Sequence, residues 1–194
     1  WTLLSVSKSD VSTVTPTTTD RERYDRSGFL IHHDSVLPEN AVIAAREGMD
    51  AIREGRYDRG QPEGSPWNPG DDPNTLCKIE QPQKANHAVF DLISHPAIGR
   101  SAAEVTGAAW IQVWWVQLLY KPSGLVSDTA RVNIGWHQDL NYWGLDTDEL
   151  VTVWLALSAA TAESGCMSVL PGSHTGEFMT HRDGYGEHLS LIHI

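Results

Sequence analysis

The chain has 194 residues, a formal net charge of −11 and no cluster of lysines and arginines. That length suits one domain with a substantial core, and the acidic balance excludes a nucleic-acid backbone as the natural partner. No apolar run approaches the ~18 residues of a membrane span, and the N-terminus lacks a basic region followed by an apolar core and a cleavage site.

The two cysteines, Cys77 and Cys166, are too few for a disulfide framework and lack paired metal-ligand spacing. They are expected to be buried small hydrophobes in a reducing cytoplasm, and a soluble intracellular protein is the default expectation. Residues 1–19, rich in Ser and Thr, are expected to form a disordered or frayed arm. The absence of an initiator Met hints that this end is incomplete or trimmed.

Gly28-Phe-Leu-Ile-His32 reads as a short first strand. A helix is expected from Leu37-Pro38-Glu39-Asn40 to about Glu54, because Val42, Ala45, Met49 and Ile52 recur at spacings of three and four and Gly55 can end it. The run from Gly60 to Pro73 is too rich in Gly and Pro for helix or sheet. Two readings stay open for it: an active-site lid with Trp67 as an aromatic contact, or a plain surface loop. Leu76 to Glu80 is expected as a strand. Helices are expected near Ala85–Ile93 and Pro96–Thr106, with His87 and His95 as surface or cap residues.

From Trp110 to Tyr120 the chain is dense in aromatic and β-branched residues, as a core strand should be, with Gln112 and Gln117 as its polar exceptions. Further strands are expected around Trp136-His137-Gln138-Asp139, over Leu150–Leu157 and over Cys166–Leu170, the last leading into a Pro171-Gly172 turn. On a strand, His137 and Asp139 point to the same face, so an imidazole nitrogen and a carboxylate oxygen can converge on one metal ion. That is two-thirds of the 2-His-1-carboxylate facial triad, which favours Fe(II) and leaves positions open for a co-substrate and O2. Spacing alone does not select this pair, since His32-His33-Asp34 and His181-Arg182-Asp183 share it; its place between strong strands does. Asn141, Tyr142 and Trp143 follow, either at the mouth of the pocket or in generic aromatic packing.

Two segments in order, Trp136-His-Gln-Asp-Leu140 with an aromatic soon after and Ser164-Gly-Cys…Pro171-Gly-Ser-His174, resemble the phytanoyl-CoA dioxygenase family of Fe(II)/2-oxoglutarate oxygenases over roughly Tyr24 to Glu177. The resemblance implies a mainly β fold with flanking helices, a double-stranded β-helix of the jelly-roll, cupin-like class. It implies His137 and Asp139 as iron ligands, and Lys78, Gln117 and Trp154 as residues seating 2-oxoglutarate. For Lys78 the competing reading is an exposed strand lysine. His174 is implied to be structural, and an Asp at 139 favours hydroxylation over halogenation. The implied reaction consumes O2, turns 2-oxoglutarate into succinate and hydroxylates a small organic molecule.

A second His and a 2-oxoglutarate-binding Arg are expected later in the family pattern, and the chain supplies no convincing candidate for either. His181, His188 and His193 come too soon and lie in a Gly-rich tail. The last six residues, Leu189 to Ile194, can be encoded by a sequence resembling a transposase adapter end. Genuine protein is therefore expected to end near His188, leaving residues 20–188 as an incomplete, C-terminally truncated oxygenase domain that is itself inactive and prone to aggregation at open strand edges. Two rivals stay open: a Zn hydrolase using the same His and Asp, and a non-catalytic jelly-roll binding module presenting Trp110, Trp114, Trp115 and Trp143. The substrate and the oligomeric state are not written in the sequence.

Overall fold

The amphipathic spacing of residues 39–53 produces a helix that buries Ala45, Gly48 and Ile52, and both core clusters draw on that face. The structure, a computed structural model, describes residues 3–4, 18–123 and 134–179. The elements in chain order are β1 (Leu3–Leu4), α1 (Thr18–Ser27), α2 (Glu39–Arg53), β2 (Cys77–Glu80), α3 (His87–Ile93), α4 (Pro96–Thr106), β3 (Ile111–Gln112), β4 (Gln117–Tyr120) and α5 (Leu140–Trp143), with short 3-10 turns at Pro82–Lys84 and Ser173–Thr175.

Two small antiparallel sheets form, β1 with β3 and β2 with β4. In the second, Cys77 faces Tyr120, Lys78 faces Leu119, Ile79 faces Leu118 and Glu80 faces Gln117. Alternation then decides what each face does. Cys77, Ile79 and Leu118 join Ile52, Trp67, Ala85 and Val89 in the main core, while Lys78, Glu80 and Gln117 share the opposite face. A second cluster of Leu37, Ala45 and Leu92 carries Leu155 and Leu157 against it, which anchors the later part of the chain to the helices.

The helix ends follow local chemistry. Asn86 caps α3 by accepting from Val89 N at 3.1 Å, and it fits because α2 carries Gly48 there: a Cβ would lie 2.3 Å from Asn86 Oδ1. His95 caps α4, its Nδ1 accepting from Ala97 N at 3.3 Å, with Pro96 in the first turn and Gly107 in the left-handed conformation at the end. Helices α2, α3 and α4 thus match the sequence expectation closely.

Several expected elements differ. Helix α1 begins at Thr18, inside the segment expected as a frayed arm, and Leu3–Leu4 pairs with Ile111–Gln112; the remaining residues of that arm lie outside the described residues. The α1 sequence is polar throughout and joined by ion pairs such as Arg21 with Asp25 at 3.5 Å, so hydrophobic periodicity does not reveal it. Gly28 to His32 is not a strand. Gly28, at φ +82°, closes α1 by donating to Tyr24 O at 2.7 Å, and the turn at Gly172 donates to Ser27 O at 2.9 Å.

The expected strand from 110 to 120 is split, with residues 113–116 outside regular structure and Trp114 and Trp115 exposed. Segments 134–139, 150–157 and 166–170 are not in β-ladders. A strand exists only where a neighbour accepts its hydrogen bonds, and among the described residues these segments have none. The loop from 60 to 73 is irregular as expected, and its Trp67 is a core residue rather than an aromatic contact at the site. Trp67 is only 7% exposed in the main core, and Ser65 Oγ accepts from Glu80 N at 2.8 Å, pinning the loop to β2. No helix among the described residues is long and apolar enough to cross a membrane.

Candidate functional site

A cleft of about 170 Å³ opens on the polar face of the β2–β4 pair, lined by Lys78, Gln117, Ile134, His137, Asp139, Tyr142 and Trp143. Strands β2 and β4 supply Lys78 and Gln117. The segment leading into α5 supplies Ile134, His137 and Asp139, and α5 itself supplies Tyr142 and Trp143.

His137 Nε2 lies 3.2 Å from Asp139 Oδ1. The expected convergence is present, but its cause is different: no strand runs through here, and Asp139 has helical φ and ψ of −55° and −39° at the start of α5. A tight turn into a helix, rather than two-residue alternation, turns both side chains to one side. Tyr142 then packs edge-on to the His137 ring, with centroids 5.8 Å apart, and Trp143 packs against Trp115 at 6.4 Å. Both line the cleft, whereas Asn141 is exposed away from it.

Each member of the pair is held from behind. His137 Nδ1 is 2.7 Å from Gly135 O, so Nδ1 donates to that carbonyl and Nε2 is the ring nitrogen that faces Asp139. Asp139 Oδ2 accepts from the Thr152 hydroxyl at 2.5 Å, leaving Oδ1 toward His137. The hydrogen bond to Asp139 raises the His137 pKa, with burial and the nearby Lys78 charge opposing and the Gly135 carbonyl assisting. Burial pushes the Asp139 carboxyl up, but the hydrogen bonds from His137 and Thr152 outweigh it and hold the pKa below the ordinary value.

This donor set fits a divalent metal. Two ligands each about 2.1 Å from one ion, at right angles, sit about 3.0 Å apart, close to the 3.2 Å between Nε2 and Oδ1. The backing contacts are of the kind that orient metal ligands: a ring N–H on a backbone carbonyl and a hydroxyl on the second carboxylate oxygen. Among the described residues no cluster of three His, Cys, Asp or Glu forms, so no third protein donor joins the pair there.

Lys78 is not the exposed strand lysine of the competing reading. It is buried, and its Nζ pairs with Glu80 Oε1 at 3.2 Å. Gln117 Nε2 donates to the same oxygen at 3.2 Å, and Trp115 Nε1 donates to Glu80 Oε2 at 2.5 Å. Trp154, expected beside the co-substrate, does not line the cleft and is 42% exposed. Thr152, two residues earlier, reaches the site instead. Thr152 and Glu80 were missed by sequence reasoning; the available signal was that each is a polar residue within or closing an apolar run.

His174 has a structural place. Its Nε2 lies 2.9 Å from Asp25 O and its ring packs on Gly28, where a Cβ would come within 2.5 Å of Nδ1. His32 bonds to Ser101 Oγ at 2.7 Å, far from the cleft in sequence and lining. Lys121 Nζ donates to Gly165 O at 2.6 Å, which ties the Ser164-Gly165 motif to the end of β4. His181, His188 and His193, and the proposed tail from 189 to 194, lie outside the described residues.

The family profile described as Phytanoyl-CoA dioxygenase (PhyH) matches residues 24–190. The human protein named "Phytanoyl-CoA dioxygenase, peroxisomal" is 33% identical over 72 residues, a match that covers 37% of this chain and 21% of that relative. No solved structure matches significantly. With most of its length matched and the His-x-Asp pair facing a small polar cleft, the chain belongs to the phytanoyl-CoA dioxygenase family, whose members are Fe(II)- and 2-oxoglutarate-dependent oxygenases.

Proposed function

We propose that the protein is part of an Fe(II)/2-oxoglutarate-dependent dioxygenase that hydroxylates a small organic molecule, built on a double-stranded β-helix. The observation that carries this reading is the 3.2 Å approach of His137 Nε2 to Asp139 Oδ1 at a cleft also lined by Lys78 and Gln117. His137 and Asp139 would hold the iron, neutral and ionised respectively, since a ligand must present a lone pair. When bound, the iron supplies O2 activation coupled to decarboxylation of 2-oxoglutarate.

The chain's own residues do the rest. Gly135 O and the Thr152 hydroxyl orient the two ligands. Lys78 offers a cation and Gln117 an amide N–H to a carboxylate, and both lie within the cleft. Tyr142, Trp143 and Ile134 line the rest of the cleft and would face the substrate.

The test is binding of Co(II) as an oxygen-stable substitute for Fe(II), followed by absorption, with and without 2-oxoglutarate. The wild-type chain should bind Co(II), and 2-oxoglutarate should perturb the spectrum. Asp139→Ala should lose most of that affinity while keeping its circular dichroism. Equal Co(II) binding by wild type and Asp139→Ala would overturn the assignment.

A further inference from the structure

We propose that Glu80 is a positioning residue for the co-substrate: its carboxylate holds the Lys78 ammonium and the Gln117 amide side by side, as a preformed donor pair for a ligand carboxylate. The inference rests on the oxygenase reading and extends it to a residue that does not line the cleft.

Glu80 and Lys78 are two residues apart on β2 and therefore share a face, and Glu80 is directly opposite Gln117 on β4. One oxygen, Oε1, gathers both Lys78 Nζ and Gln117 Nε2 at 3.2 Å. The other, Oε2, is fixed by the Trp115 indole N–H at 2.5 Å. The Lys78 and Glu80 side chains are only 10% and 12% exposed, so solvent does little to screen the pair. The backbone of Glu80 is itself pinned by Ser65 Oγ.

Lysine and glutamine are long side chains that lose rotamer freedom when they grip a ligand. Held beforehand by Glu80, they have already given up much of it, which is how preorganisation raises affinity. An ammonium can donate three hydrogen bonds and an amide two, so a bond to Glu80 does not by itself exhaust either group, and both line the cleft that a carboxylate would enter. Glu80 also offsets the Lys78 charge, so pure electrostatics makes the opposite forecast, tighter anion binding once Glu80 is neutralised.

The experiment titrates 2-oxoglutarate into the Co(II)-loaded chain by calorimetry, comparing wild type, Glu80→Ala and Glu80→Gln, with Co(II) affinity measured separately. Glu80→Ala should weaken 2-oxoglutarate binding about tenfold. Its Co(II) affinity should stay within about twofold of wild type, because Glu80 touches neither metal ligand; that same measurement shows the variant is folded. Glu80→Gln keeps one accepting oxygen and should fall between the two, and it carries the test if Glu80→Ala does not fold. Unchanged or tighter binding by Glu80→Gln overturns the inference. A wild-type chain that binds Co(II) but not 2-oxoglutarate overturns the oxygenase reading and this one together, an outcome distinct from a silent Glu80 in a binding-competent protein.

Discussion

The hydroxyl of Thr152 donates to Oδ2 of Asp139 at 2.5 Å across thirteen residues of chain. This contact joins the segment anchored by Leu155 and Leu157 on the helices to the turn that carries the His137–Asp139 pair. Replacing it tests whether orientation of the carboxylate matters. Thr152→Val keeps the shape and removes the donor, and metal affinity should fall roughly 10–100-fold. Thermal unfolding monitored by circular dichroism should move little, because the residue is exposed.

The pair should also make metal binding depend on pH. A proton on His137 Nε2 excludes a metal, and Asp139 raises the pKa of that proton. Co(II) affinity should therefore begin to fall above the ordinary histidine value of about 6.5 as the solution is acidified. For the metal-free protein the signs are separate. The His137 contribution to stability is complete below about 6.5 and is lost as pH rises through its raised folded value. The Asp139 contribution is present above its ordinary value and is lost as pH falls through its lowered one. Urea midpoints across pH should show both limbs in wild type; His137→Ala should lose the upper limb and keep a smaller lower one, because Thr152 still bonds Asp139.

Trp67 belongs to the core, not to a lid over the cleft. Trp67→Ala should cost about 3–5 kcal/mol of stability, the usual range for removing a large buried aromatic. At temperatures where the variant remains folded, Co(II) affinity should match wild type. A selective loss of ligand binding without loss of stability would restore the lid.

Gly28 has φ +82° and the His174 ring where a side chain would go. Gly28→Ala should cost about 1–2 kcal/mol from the left-handed backbone alone, with a further penalty from the clash. In the double variant with His174→Ala the clash disappears and the backbone cost remains. The double-mutant cycle should therefore show favourable coupling between the two changes, read from denaturant midpoints.

The sequence by itself determined the helical frame and picked out the pair that meets at the cleft. Apolar spacing from Val42 to Ile52 located α2, Pro96 opened α4, and the His-x-Asp motif selected the two side chains that the fold sets 3.2 Å apart. Local rules suffice there because helices satisfy their own backbone and a motif is a chemical inventory. Tertiary structure alone decided which polar residues serve that inventory. Thr152 rather than Trp154 meets the site, Glu80 gathers Lys78 and Gln117, and Trp67 turns inward. It also decided that residues 134–139 form a turn into a helix: a ladder depends on a partner distant in sequence, which no local pattern of alternation can supply.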